Sequence, residues 1–272
     1  SPGNDEPEEA LSRRLLYAWL PEVMKEHFLR VKRNLVVAGT HAKTTTSSIL
    51  AWLLLSAGRD PGWMIGGLPR NLGRGAHFAD SEFNVLEGDE YDTAFFDKRS
   101  KFLHYLPEVA VINNIEFDHA DIYDDLDQIK LSFERLLRVV PRSGIAVING
   151  DDPNCLDVVN GAPCPVTRVG FGQHCEVRIE DVGYSPEGSR FTLAGLRLEI
   201  AMPGEFNVRN AAMAATAARH AGLSDDEIRE GLASFEGIAR RQELRGVAGG
   251  VKVIDDFAHH PTAVRQAVAA LR

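Results

Sequence analysis

Cysteine is scarce in this 272-residue sequence. The three present, Cys155, Cys164 and Cys175, form no Cys-x-x-Cys pair. An odd count at irregular spacing excludes a disulfide framework and a thiolate zinc site, and points to a reducing cytoplasm. Long apolar runs are lacking too. The stretch around Trp52–Ala57 falls far short of the ~20 residues of a membrane span. Basic charge is short: 30 Lys and Arg face 39 Asp and Glu, a formal net charge of −9. That balance argues against a nucleic-acid partner held by phosphate neutralisation. There is no internal repeat, no low-complexity tract and no convincing Ser-His-Asp or Cys-His arrangement. An initiator Met is also absent. The chain opens at Ser1 and stops within a helical pattern, so it reads as a piece of a longer protein.

What is present is a globular composition, 44% apolar and 25% charged, enough for one large domain or two small ones. Residues 1–30 begin polar and acidic and resemble the tail of a preceding unit. Short Val-, Ile- and Leu-rich runs at Leu35–Ala38, Phe83–Leu86, Val109–Ile112 and Ile145–Ile148 lack polar alternation, as strands buried on both faces of a parallel sheet do. Helical patterns occupy Thr44–Ala57, Leu126–Val140, Asp152–Val159 and Asn207–Gly222. Another helix is expected after Ser224, with Glu227 completing a capping box. Glu176–Ala201 alternates and carries turn clusters, which predicts two or three antiparallel strands at the sheet edge. A strand, Val251–Ile254, and a helix, Pro261–Arg272, follow the Gly246–Gly250 turn cluster. The fold class expected is α/β: a mostly parallel sheet with a small antiparallel edge.

Three polar clusters follow strands of that sheet, where ligands bind in open α/β folds. The first, Gly39-Thr40-His41-Ala42-Lys43-Thr44-Thr45, lies between a strand and a helix, where backbone N–H groups and the helix N-terminus favour an anion. There Lys43 suits β- and γ-phosphates and the Thr44 hydroxyl suits Mg²⁺. The second, Glu87-Gly88-Asp89-Glu90-Tyr91-Asp92, offers carboxylates to a hard cation. The third, Asn113-Asn114-Ile115-Glu116-Phe117-Asp118-His119, sets a histidine beside two acids.

In this order the clusters resemble the Mur ligase family of ATP-dependent amide synthetases. The family's phosphate loop, G-T-x-G-K-[TS], fits Gly39–Thr44 except at Ala42. Glu90–Phe102 and Glu116–Asp121 look like the member that joins UDP-N-acetylmuramate to L-alanyl-γ-D-glutamyl-meso-diaminopimelate. The alanine-adding member usually reads E-S-D and D-H-M-D there. The resemblance implies a P-loop-type ATPase domain at 34–245. It also implies a remnant of a UDP-binding domain at 1–33 and the truncated start of a ligase domain at 246–272. It implies ATP and Mg²⁺, with Thr44, Glu87 and His119 as metal ligands. Lys43, Glu87, His119 and Arg241 would carry the chemistry. Asn207 and Asn210, three apart on one helical face, would meet adenine. Arg241 would approach the γ-phosphate and Asp256 the ribose. Lys130 aligns with a lysine that some members carry as a carbamate. Gly66-Gly67 with Asn71-Leu72-Gly73 resembles a glycine loop near substrate. Another Mur-type ligase and a non-catalytic nucleotide-binding module are the alternatives. Ala42 puts nucleotide affinity in question, because glycine at such a position allows positive φ and close backbone approach.

Overall fold

The computed structural model describes residues 5–91, 99–118, 123 and 125–271. Two short helices, α1 (Asp5–Ser12) and α2 (Leu20–Met24, continued by a π turn), lead into β1 (Arg33–Ala38) and α3 (Lys43–Ser56). Strands β2 (Gly62–Met64), β3 (Ala76–His77), β4 (Phe83–Gly88) and β5 (Pro107–Ile112) follow. Next come α4 (Leu126–Arg138), β6 (Ile145–Asn149), α5 (Pro153–Val158) and β7 (Val166–Gly170). Three further strands, β8 (Val177–Ser185), β9 (Gly188–Leu193) and β10 (Leu196–Ile200), precede helices α6 (Glu205–His220) and α7 (Asp225–Ala233). A hairpin, β11 (Glu243–Ala248) with β12 (Val251–Asp255), leads to α8 (Pro261–Ala270).

The first ten strands form one mixed sheet in the order β10-β9-β8-β7-β6-β5-β1-β4-β2-β3. Neighbours from β8 through to β2 run parallel. The antiparallel strands lie at the two edges, as expected for Glu176–Ala201. Side chains on β1 alternate between faces. Leu35 and Val37 join a core with α3 and α6, while Val36 and Ala38 join one with α4. Both faces are therefore apolar, which explains the unbroken hydrophobic runs. Helix α4 turns Ile129, Phe133, Leu136 and Leu137 inward and is capped by Asp125, which accepts from the Gln128 N–H. The Ser224–Glu227 capping box forms as expected.

Four strands escaped the pattern reading: β2, β3, β7 and β11. Strand β2 has only three residues, and β7 is half-exposed with polar positions, so neither forms a run of buried apolar residues. Strand β11 crosses the division at 245/246 that the resemblance implied; Gly249 and Gly250 form the turn of its hairpin, both with positive φ.

Position in the sheet sets the site. After β1 the chain first builds β2 to β4 on one side, then crosses to build β5 and β6 on the other. The carboxyl ends of β1, β4 and β5 therefore bound a crevice at the point where strand order reverses.

Candidate functional site

The turn from β1 into α3 takes four residues. Gly39 has φ +140°, and a Cβ there would lie 3.1 Å from the Asn113 Cβ and 3.2 Å from the Asn114 backbone. Only glycine fits that approach. The exit of β5 holds the loop: the Thr40 N–H donates to the Asn114 carbonyl (3.1 Å) and the His41 N–H to Asn114 Oδ1 (2.9 Å). Ala42 then adopts φ 65°, ψ 0°, the left-handed conformation, and starts α3 with no side-chain cap. Uncapped N–H groups at a helix start suit an anion. The first turns of α3 are buried yet polar. Thr46 Oγ1 accepts from Asn113 Nδ2, and the Ser47 and Ser48 hydroxyls donate to carbonyls one turn back.

The acidic end of β4 meets this helix start. Glu87 accepts from the Thr44 hydroxyl (2.8 Å) through one oxygen and from the Gly66 N–H (2.7 Å) through the other. Burial pushes the Glu87 carboxyl above its usual range, opposed by those two donors. Lys43 Nζ donates to Glu90 Oε2 at 2.7 Å, with Asp89 Oδ1 at 3.9 Å. Burial disfavours its charge, but Glu90 and Asp89 outweigh that and hold the amine protonated. Desolvating such a pair costs several kcal/mol per ion, so it is weak evidence for a stability role. His119 and residues 92–98 lie outside the described residues.

Across the crevice stands the start of α6. Asn207 is fully buried; its amide donates to the Pro203 carbonyl (2.7 Å) and to Gln242 Oε1 (2.9 Å). Three buried polar atoms here, Asn207 Oδ1, Asn210 Nδ2 and Gln242 Nε2, have no hydrogen-bond partner among the described residues. Such orphans are costly unless a ligand satisfies them. Both Asp256 oxygens accept backbone N–H groups, of Gln242 (2.9 Å) and Ala258 (2.7 Å). Arg241 lies 5.5 Å from the Phe257 ring centre, and burial lowers its pKa. Thr40 to Thr45, Glu87, Asn207, Asn210, Arg241 and Asp256 all line one cavity of about 800 Å³.

Two expected residues are elsewhere. Asn71 donates to the Ser234 carbonyl (3.0 Å) and accepts from the Glu236 N–H (2.7 Å), so it fastens a loop and does not line that cavity. Lys130 ion-pairs with Asp157 at 2.8 Å, which raises its pKa. Glu90, which pairs with Lys43, and the lining residues Gln242, Trp19 and Phe206 were not singled out from sequence. Glu90 lies in the acid run after β4, and Gln242 directly follows Arg241. Nothing in a pattern reading links Trp19 to Phe206, which lies more than 180 residues further along the chain.

This architecture and loop are those of a phosphate-loop-type α/β unit, and the chain belongs to the Mur ligase family: residues 37–218 match the Mur ligase middle domain. The chain is 41% identical over 273 residues to the UDP-N-acetylmuramate–L-alanyl-γ-D-glutamyl-meso-2,6-diaminoheptandioate ligase of Escherichia coli K12, covering 99% of this chain and 60% of that protein. The solved UDP-N-acetylmuramate:L-alanyl-γ-D-glutamyl-meso-diaminopimelate ligase from Neisseria is 39% identical with TM-score 0.81, over 88% of this chain and 77% of that one. The murein peptide ligase of Psychrobacter arcticus 273-4 is 33% identical with TM-score 0.82, over 99% of this chain and 60% of that one. The chain spans about 60% of the length of the curated relatives it matches.

Proposed function

We propose that this chain is the nucleotide-binding core of an ATP-dependent, ADP-forming amide ligase. Its reaction joins UDP-N-acetylmuramate to L-alanyl-γ-D-glutamyl-meso-diaminopimelate. One observation carries the reading: a left-handed residue opens α3, so that buried Lys43 and Thr44 meet the acidic end of β4. The choice of peptide rests on the 41% identical relative.

The residues fit the substrates. The Thr44 hydroxyl and Glu87 carboxylate are hard oxygen donors of the kind Mg²⁺ takes, and His119 is their proposed companion. Bound Mg²⁺ would neutralise charge on the phosphate oxygens. The orphaned amide atoms of Asn207 and Asn210 match an adenine edge that both donates and accepts. Asp256 supports the ribose side by holding the Gln242 and Ala258 backbone.

In the reaction, the γ-phosphoryl group of ATP passes to the muramyl carboxylate, giving ADP and an acyl phosphate. The peptide's amine attacks that carbonyl, loses a proton and expels phosphate as the amide forms. The chain's part is positioning and charge stabilisation. Lys43, kept protonated by Glu90 and Asp89, and Arg241 face the transferring group. Residues 1–33 and 246–272 are proposed as edges of neighbouring units that bring the two carbon substrates together.

The test is ADP release by the full-length gene product with ATP, Mg²⁺, UDP-N-acetylmuramate and the tripeptide. Release with tripeptide and not with L-alanine is expected. Release with L-alanine alone would overturn the peptide assignment. Failure to bind any adenine nucleotide would overturn the whole reading.

A further inference from the structure

The loop after β5 carries a carboxylate that this reaction does not use. Glu116 is joined to the phosphate loop through its backbone: Thr40 Oγ1 donates to the Glu116 carbonyl (3.1 Å) and accepts from its N–H (2.9 Å). Its side chain reaches in two directions. One oxygen lies 3.1 Å from His41 Nε2 in the phosphate loop. The other accepts from the Thr262 hydroxyl at 2.6 Å, in the first turn of α8. His260, the residue before α8, stacks on His41 with ring centres 5.6 Å apart. Its Nδ1 is buried without a hydrogen-bond partner among the described residues, 3.6 Å from Glu116.

Ligand atoms of His41, Glu116 and His260 lie within 4.8 Å of one another, the compactness of a metal site. The hydrogen bonds of Asn114 argue otherwise. Its Oδ1 accepts from the His41 N–H and its Nδ2 donates to the His41 carbonyl, which fixes the amide's orientation. The same Nδ2 is 3.1 Å from His41 Nδ1. Nδ1 must therefore accept, and the ring proton sits on Nε2 and donates to Glu116. A nitrogen carrying that proton is not available to a cation.

We propose that Glu116 is a positioning residue: a clasp that ties the phosphate loop to α8 and so couples nucleotide binding to the placement of the unit that α8 opens. The negative carboxylate is favourably placed at the start of α8, where the helix dipole is positive. Because Glu116 bonds both partners, disturbance at Thr262 reaches His41 through one rigid carboxylate. The coupling to nucleotide rests on the function proposed above; the link between loop and helix does not.

Two measurements separate these. The first is hydrogen exchange of the 272-residue chain without nucleotide, comparing Thr262→Val, Thr262→Ser and Glu116→Gln with the unaltered chain. Thr262→Val should speed exchange in residues 39–44 as well as in α8, and Thr262→Ser, which restores the hydroxyl, should not. The second is calorimetric titration with Mg²⁺ and a non-hydrolysable ATP analogue. Thr262→Val should weaken binding roughly threefold to tenfold, the loss of about one hydrogen bond. Loop exchange unchanged in both Thr262→Val and Glu116→Gln overturns the clasp. So does stoichiometric Zn²⁺ binding that His260→Gln abolishes. If the unaltered chain binds no nucleotide, the proposed function fails, while the exchange experiment still judges the clasp.

Discussion

Replacing Ala42 by glycine tests the conformation on which the phosphate loop rests. Ala42 has φ 65°, ψ 0°. For an L-residue with a Cβ, that conformation costs roughly 1–2 kcal/mol. Glycine removes the strain, but it also loosens the unfolded chain, which offsets about 0.4–1 kcal/mol. The net expectation for Ala42→Gly is a gain of roughly 0.5–1 kcal/mol in stability. For a chain of this size that raises Tm by roughly 1–4 °C. The sign decides the matter. At an ordinary helical φ the same change would lower stability by about 0.5–1 kcal/mol. Urea unfolding at constant m-value, with a thermal scan alongside, reads it directly. A loss of stability would refute the left-handed assignment. Ala42→Val gives the converse check, because a β-branched residue at positive φ should lose more than alanine does. The loop holds this shape with its hydrogen bonds to Asn114 in place. Its strain is therefore met on folding, and nucleotide affinity should change less than about threefold. A tenfold gain in affinity for Ala42→Gly would mean that the methyl group itself crowds the phosphates.

Thr44→Val removes one of the two donors to the half-buried Glu87 carboxylate, and should cost about 0.5–1.5 kcal/mol in urea unfolding as well as weaken Mg²⁺-dependent nucleotide binding. An unchanged urea midpoint would show that Glu87 draws nothing from that hydroxyl. Asn210→Ala deletes an amide nitrogen that has no partner among the described residues. It should leave stability within about 1 kcal/mol while lowering adenine-nucleotide affinity roughly tenfold; equal losses in both would mark Asn210 as structural. Acid should destabilise the fold through His41 and His220. Burial lowers both, in His41 against the opposing Glu116 and in His220 with help from Arg219. Below the ordinary value of 6.5 the unfolded chain therefore takes up protons first. Their contribution is complete above that pH and falls as pH drops, by up to about 1.4 kcal/mol per unit for His41 and by less for the solvent-exposed His220, where water screens the effect. Urea midpoints from pH 7.5 to 5.5 should show the slope, and His220→Gln should flatten part of it; an unaltered slope would exclude His220.

Much of this protein was legible in one dimension because the signals are local. The strands of β1, β4, β5 and β6 are buried on both faces, so each is an apolar run with no dependence on its neighbour's identity. The phosphate loop is contiguous: strand, glycine, Lys43 and Thr44 follow one another, and the helix start needs no distant residue to be recognised. The same holds for the Ser224 capping box. What required tertiary structure was every pairing across the sheet. The meeting of Glu87 with Thr44 was expected, because both follow strands of one parallel sheet; nothing in the order of residues says that Lys43 takes Glu90, or that Asn71 fastens the loop at Ser234. Helix α4 shows the limit from one side, since its period predicts which face is buried but not that Lys130 finds Asp157. Glu116 shows it from the other. It stands in a motif read as one cluster, yet its two partners lie 75 residues before it and 146 after it. Strand order brings those segments together, and order depends on which hydrophobic faces pack best over the whole chain. Local chemistry wrote the elements and the loop; long-range packing alone chose their neighbours.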